Sequence, residues 1–224
     1  MSDMAGRRIA QQTLADLAVA LPGATALFRR HKLDFCCGGK VTLAEAARAK
    51  SLDLAALEGE LGSLAPAAQG EGWAEQSSDA LITVIESRFH AGHRRDLAEL
   101  IRLARRVEAV HKDKASVPHG LADTLDSMLA DLEQHMQKEE QILFPMMRRG
   151  GHPVLGGPIS VMIAEHEGHG ETLRAVEEIT HDFTAPEEAC TTWRALYAGL
   201  RHLHDEVMEH ISLENNVLFP RFAG

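Results

Sequence analysis

Aromatic side chains are scarce in this chain, in which phenylalanine, tyrosine and tryptophan make up 4% of the 224 residues. Strands draw on aromatic and β-branched residues, so this scarcity, together with abundant alanine and leucine, favours helices over sheets. No apolar run approaches the roughly 20 residues that a membrane-spanning helix needs. The sequence therefore predicts an all-α protein, and we expect no membrane among its partners.

Basic residues are outnumbered by acidic ones, 23 against 33, and the formal net charge is −10. A surface of this sign repels phosphate backbones, so we expect no nucleic-acid partner. Cysteine is limited to three residues, two of them adjacent, which does not resemble the disulfide framework of a secreted protein. Gln11, Gln12 and Asp16 stand where a signal peptide would carry its apolar core. We therefore expect a cytoplasmic protein with reduced thiols.

Short amphipathic patterns broken by turn signals fill the first part of the chain. A leucine stripe begins at Leu14 and stops at Pro22-Gly23, and Thr42 with Glu45 forms a capping box for a later helix. Residues 1–66 are thus predicted to be a small helical domain. Residues 67–78 contain few large apolar side chains and are predicted to be a linker.

Longer helical patterns fill residues 79–224, and each is long enough to span a bundle. The last of them is predicted to begin at the capping signal Thr184-Ala-Pro-Glu187. Four long helices with short connections predict a four-helix bundle. The expected helices cover about 79–111, 118–149, 159–181 and 184–216.

The most informative feature is an internal repeat. His135-x-x-x-Glu139, followed by an apolar tail that ends in Leu-Phe-Pro, recurs 75 residues later as His210-x-x-x-Glu214 with a similar tail. A further histidine precedes each copy, His90 in the first half and His166 in the second. Two such helix pairs about a pseudo-two-fold axis would bring four histidines and two glutamates into one core.

The spacing of this repeat has a chemical reason. Residues i and i+4 lie on one helix face, so an imidazole and a carboxylate at that spacing can reach the same metal ion. Hard carboxylate oxygens mixed with imidazole nitrogens suit iron, whereas structural zinc usually takes four ligands and often cysteine. The alternative is a pair on a solvated helix face. The duplication argues against it, because buried ionisable groups at that density are costly without a metal.

Other histidines and the cysteines form a second set of candidates. His93 and His169 follow the first histidine of each half by three residues and are expected to lie behind the ligands or on the surface. Adjacent Cys36 and Cys37, before two glycines, are either structural thiols in a turn or a redox or iron-transfer pair. Cys190 is expected to be a small buried residue. Surface positions are expected for His111, His119, His152, His181, His202 and His204.

The order of the predicted ligands along the chain resembles that of the hemerythrin-like four-helix bundles. In the oxygen-carrying hemerythrins a fifth histidine follows the third-helix ligand by four positions, and here that position is Gly170. The resemblance therefore implies a site with fewer imidazoles, and a more open coordination, than that of an oxygen carrier.

A closer resemblance is to the iron–sulfur cluster repair di-iron proteins of the YtfE/ScdA type. It is carried by the runs 34–39, 135–145, 157–162, 188–193 and 210–220 and covers nearly the whole chain. The resemblance implies a non-haem centre of two iron ions, carboxylate- and oxo-bridged. It also implies a role in restoring iron–sulfur clusters damaged by nitric oxide or peroxide. By carry-over, the iron ligands are His90, His135, His166 and His210, with Glu139 and Glu214 as bridges.

Rival functions remain at the same centre. One is a hemerythrin-type carrier or sensor of O2 or nitric oxide, against which Gly170 counts. Another is an oxidoreductase, either a nitric oxide reductase or a ferroxidase, and a third is a structural bundle without stoichiometric metal. The expected partners are damaged iron–sulfur proteins, with nitric oxide or O2 as small ligands, and a homodimer is compatible with these features.

Overall fold

The computed structural model describes residues 9–64, 72–150 and 155–222. Within these ranges the regular structure is helical apart from one isolated bridge between Thr13 and Thr42, which confirms the predicted all-α class. None of the helices in these ranges combines the length and the apolar character that crossing a bilayer requires. Residues 67–71 of the predicted linker, and His152, lie outside the described ranges.

Four short helices follow one another in the N-terminal part. The predicted stop after the leucine stripe is confirmed, because Gly23 adopts φ 92° and separates the first two helices. The capping box is also present: Thr42 Oγ1 accepts from the Glu45 N–H at 3.2 Å, and Glu45 accepts from the Thr42 N–H at 2.8 Å. The helices are α1 (Leu14–Ala20), α2 (Ala24–Arg30), α3 (Leu43–Ala49) and α4 (Leu54–Gly62).

The four long helical patterns are each helical in the structure, and three of them contain a π-helical segment. The first runs through α5 (Ser78–Val84), π1 (Ile85–His90) and α6 (Ala91–Val110). The second runs through α7 (Leu121–Lys138), π2 (Glu139–Leu143) and α8 (Phe144–Arg148). The third is α9 (Gly156–Ile179), and the fourth is α10 (Thr191–Leu213) followed by π3 (Glu214–Leu218).

The predicted start of the fourth helix at Thr184 is wrong, because α10 begins at Thr191. Three successive residues before Thr184, at positions 181–183, have positive φ and form a tight reversal after α9. The Arg194 guanidinium donates to the carbonyls of Ala189 and Glu187, at 3.1 and 2.8 Å. These bonds hold residues 187–189 in the loop before α10, and Arg194 lies outside the local capping signal.

The chain divides into two compact units, one of residues 1–81 with 209–224 and the other of residues 82–208, and the boundary falls within α10. In the larger unit, α7 packs against both α6 and α9. A Cβ at Gly199 of α10 would lie 2.7 Å from Leu100 Cδ2 of α6, so a glycine permits this close approach. In the other unit, α1 contacts π3. The predicted domain bounds stay predictions.

Thr42→Ala removes the side-chain acceptor of the capping box and should lower the free energy of unfolding by about 1 kcal/mol. Urea denaturation followed by circular dichroism measures it. Thr124→Ala is the matched control, since Thr124 lies inside α7 and its Oγ1 donates to the carbonyl of Gly120, the residue before that helix, instead of accepting from a backbone N–H. Equal losses in the two variants would contradict a capping role for Thr42.

Candidate metal centre

The π-helical segments coincide with predicted ligands. His90 is the last residue of π1, and Glu139 and Glu214 are the first residues of π2 and π3. All three side chains have 0% exposure. Single π-helical turns occur inside α-helices frequently at functional sites, because the wider turn re-aims a side chain. An i, i+4 spacing is that of a regular α-helix and does not predict these turns.

All six predicted ligands come together in the core, and none is more than 1% exposed. They form two overlapping groups of four, in each of which one ligand atom per residue lies within 4.8 Å of the others. Glu139 and Glu214 belong to both groups, as expected of shared carboxylates. One group is His90, Glu139, His210 and Glu214, and the other is His135, Glu139, His166 and Glu214.

Glu139 is oriented toward both groups at once. Its Oε2 lies 3.3 Å from His90 Nε2, and its Oε1 lies 3.4 Å from His135 Nε2. His166 Nε2 lies 3.0 Å from His135 Nε2, and in the second copy of the repeat His210 Nε2 lies 3.1 Å from Glu214 Oε1. A carboxylate whose two oxygens face different imidazoles can bridge two cations.

His90 is oriented from behind by a charged network. Its Nδ1–H donates to Glu140 at 2.7 Å, and Glu140 also accepts from Arg94, which binds Glu133 at 2.7 Å as well. Burial opposes ionisation of Glu140, but the hydrogen bonds from Arg94 and His90 together lower its pKa below the usual value. An anionic Glu140 keeps the proton on Nδ1, so the Nε2 lone pair faces the ligand group.

His135 has a corresponding partner on α9. Its Nδ1–H donates to Glu165 at 2.9 Å, and Lys138 forms an ion pair with the same carboxylate. Burial raises the pKa of Glu165, whereas the bonds from Lys138 and His135 lower it, and the net shift is downward. As at His90, an anionic acceptor fixes the tautomer that a metal ligand requires.

The donor set fits bound cations. Two carboxylates without solvent exposure lie within 4.8 Å of shared imidazoles, and buried carboxylates in one place repel each other unless a positive charge lies between them. The nearby basic side chains do not supply that charge in the described contacts, since Arg94 binds Glu140 and Lys138 binds Glu165, both on the outer side of the imidazoles. Cations held by the six inner side chains would balance this charge.

His93 and His169 are both buried, at 1% and 5% exposure, so neither is a surface residue. His93 packs 6.2 Å from the Phe89 ring, and the ring centroid of His169 lies 5.0 Å from that of His135. Burial lowers the pKa of His169 to about 4, with smaller contributions from His135 and His166. The expected surface positions of His119, His181 and His202 are confirmed, whereas His111 and His204 are half-buried.

The Cys36 and Cys37 side chains are thiols that form no disulfide bond in the part of the chain that the structure describes, and their sulfur atoms lie 3.7 Å apart. Asp34 Oδ1 accepts from both backbone N–H groups, and these three side chains place ligand atoms within 4.8 Å of one another. The hydrogen bond with Cys37, then burial and the negative Asp34, raise the pKa of Cys36 well above its usual value. A Cβ at Gly39 would collide with the Phe35 carbonyl, which explains a glycine there.

Two asparagines that follow Glu214 hold the cysteine loop. The Asn215 side chain donates to the Cys36 carbonyl and the Asn216 side chain to the Phe35 carbonyl, both at 3.1 Å. The loop is therefore attached to π3, the segment that begins with Glu214. The sequence contained this signal only as an Asn-Asn pair in place of the Glu140-Gln141 of the first copy.

The expectation that Cys190 is buried is wrong, because it is exposed. The helix in which it was placed begins one residue later, at Thr191, so Cys190 lies in the preceding loop. Its sulfur lies 3.2 Å from His111 Nε2, and the His111 ring lies against Trp193 with centroids 5.1 Å apart.

Comparisons with known proteins agree with this geometry. Residues 82–222 match the family described as the hemerythrin HHE cation binding domain, and residues 10–65 match ScdA_N, a domain of unknown function. The chain is 52% identical over 211 residues to the iron-sulfur cluster repair protein YtfE of a Yersinia pseudotuberculosis O:1b strain, covering 94% of this chain and 96% of that protein. The corresponding Yersinia pestis (Pestoides F) protein is 51% identical with the same coverage.

Glu165→Ala removes the acceptor behind His135 and should weaken binding of ferrous iron by about 10- to 100-fold, as loss of such outer partners does elsewhere. Competition with a chromophoric chelator measures the affinity. Glu167→Ala is the control, because Glu167 is exposed on the same helix. Equal affinities of the two variants would remove Glu165 from the support of the site.

Proposed function

Since this chain belongs to the hemerythrin HHE family and to the family of YtfE iron–sulfur cluster repair proteins, we propose that it repairs damaged iron–sulfur clusters. The damage it counters is oxidative and nitrosative. The observation that carries the proposal is the pair of overlapping ligand groups with two shared carboxylates. A site of this kind has the donors that iron takes in proteins.

The proposed cofactor is a pair of iron ions. His90 and His210 would hold one ion and His135 and His166 the other, with Glu139 and Glu214 bridging them. The separate oxygens of Glu139, 3.3 and 3.4 Å from imidazoles of different groups, support this assignment. Iron, when bound, would supply an open coordination position and a metal that can be passed to a damaged cluster.

The chain's own residues would hold and orient this cofactor. Glu140 and Glu165 keep the protons of His90 and His135 on Nδ1, so each Nε2 is available to a metal without a further proton transfer. Arg94 and Lys138 keep those outer carboxylates anionic through ion pairs. The apolar core around the ligands limits access of water, and the ring of Phe144 stacks 5.9 Å from His90.

We assign the Cys36–Cys37 pair to iron or electron transfer rather than to structure alone. Two thiols and a carboxylate within 4.8 Å could take a cation, although the raised pKa of Cys36 means that a metal must displace its proton. The hydrogen bonds from Asn215 and Asn216 support a link to π3.

The names of the relatives favour repair over the rival functions, the nitric oxide reductase and the hemerythrin-type carrier or sensor. Damaged iron–sulfur proteins are accordingly the proposed partners. The cytoplasmic location, nitric oxide or O2 as small ligands and a homodimer stay predictions of the sequence.

Glu139→Leu should reduce bound iron and repair activity together, because it removes the carboxylate shared by both groups. Iron per chain is quantified on anaerobically prepared protein, with Mössbauer spectroscopy to detect two coupled ions in the unsubstituted protein. Repair is measured as recovered activity of a nitric oxide-damaged iron–sulfur enzyme. Glu171→Leu, exposed on α9, is the control. Full repair by an iron-free variant would refute the proposal.

Cys36→Ala with Cys37→Ala should leave the iron content unchanged and impair repair, since the ligand groups contain neither thiol. The same iron quantification and repair assay are used, with Cys190→Ala as the matched control that retains both properties. Undiminished repair in the double variant would return the pair to a structural role in its turn.

A further inference from the structure

His169 is a buried imidazole that lies beside the ligand groups and that the proposed function does not use. It follows His166 by three residues on α9, which places the two side chains on neighbouring parts of one helix face. Its ring stands edge-on to His135, at 89° with centroids 5.0 Å apart, and its centroid lies 6.4 Å from that of His166. Only 5% of the residue is exposed.

The Nε2 atom of His169 is buried and has no hydrogen-bond partner among the described residues. Buried polar atoms in native proteins are nearly always paired, so an unpaired one indicates a missing group. That group is not a metal in the observed side-chain position, because His169 belongs to neither ligand group. A molecule that enters the core beside His135 and His166 would supply the partner.

The other half of the repeat provides an internal comparison. His93 occupies the position that corresponds to His169, is 1% exposed and has no ring nitrogen that is buried and unpaired. The next residue is Arg94 in the first half, where it binds Glu133 and Glu140, and Gly170 in the second. The two halves thus have matching ligand residues. They differ at the position that follows the second histidine, which is Arg94 in the first half and Gly170 in the second.

We propose that His169 Nε2–H donates a hydrogen bond to a small anionic or diatomic ligand that binds the metal centre on the side of His135 and His166. The inference rests on the proposed function, because the metal holds such a ligand in place. His169 is then a positioning residue for the ligand. It would raise the affinity of this half of the centre for ligands that accept a hydrogen bond.

Azide is a suitable probe, because it is a small anion whose binding to ferric iron is visible as a charge-transfer band. His169→Leu should bind the full amount of iron and should raise the Kd for azide about tenfold or more, the loss expected for one hydrogen bond to a charged group. His169→Gln retains an N–H donor and should change the Kd less. His93→Leu is the matched control and should leave the Kd unchanged.

A second measurement needs no substitution. The antisymmetric stretch of bound azide should shift when the unsubstituted protein is moved from H2O to D2O, because the donated proton exchanges. An unchanged Kd in His169→Leu with full iron, or the absence of the D2O shift, would overturn the role of His169 and leave the proposed function intact. Loss of iron in His169→Leu would identify a ligand and also overturn it. An unsubstituted protein without iron would overturn the proposed function itself.

Discussion

The burial of two carboxylates in one core is the constraint on which the rest of this structure depends. Glu139 and Glu214 have no solvent exposure and share both ligand groups. Two buried carboxylates this close cannot both stay ionised unless positive charge lies between them. Helix packing and metal binding are therefore coupled in this core. A cation that balances the charge of the two glutamates also stabilises the helices that surround them.

The surroundings of the ligands follow from that constraint. Each of the two imidazoles with a described outer partner donates to a carboxylate, and each carboxylate is itself paired with a basic side chain. Outward from the core, a neutral imidazole is thus followed by an anionic carboxylate and then by a basic side chain, and the carboxylate fixes the tautomer of the imidazole. In the first copy of the repeat, the outer carboxylate is Glu140, which accepts from His90. In the second copy the corresponding Asn215 binds the cysteine loop instead.

Much of the site was predictable because its information is local and duplicated. The spacing of four residues, found twice before the same apolar tail, identified four of the residues that the structure brings together, and the histidine upstream of each copy identified the other two. The π-helical turns could not be predicted, since they arise from the packing of whole helices. The helix start predicted at Thr184 was wrong because a capping signal is local, whereas Arg194, further along the chain, holds the loop. The exposure of Cys190 was missed for the same reason, since the loop decides it.

The π-helical turns also bear on how such a bundle can change over evolution. A π-helical turn absorbs one residue more than an α-helical turn, so a count by 3.6 residues across it misassigns helix faces by one position, about 100°. The flanking helices nevertheless keep their own apolar faces: Leu132 before π2 and Phe144 after it are both buried. A single inserted residue can therefore re-aim a carboxylate without repacking its helix. The positions of the ligands and the packing of the core can thereby change independently of each other within one chain.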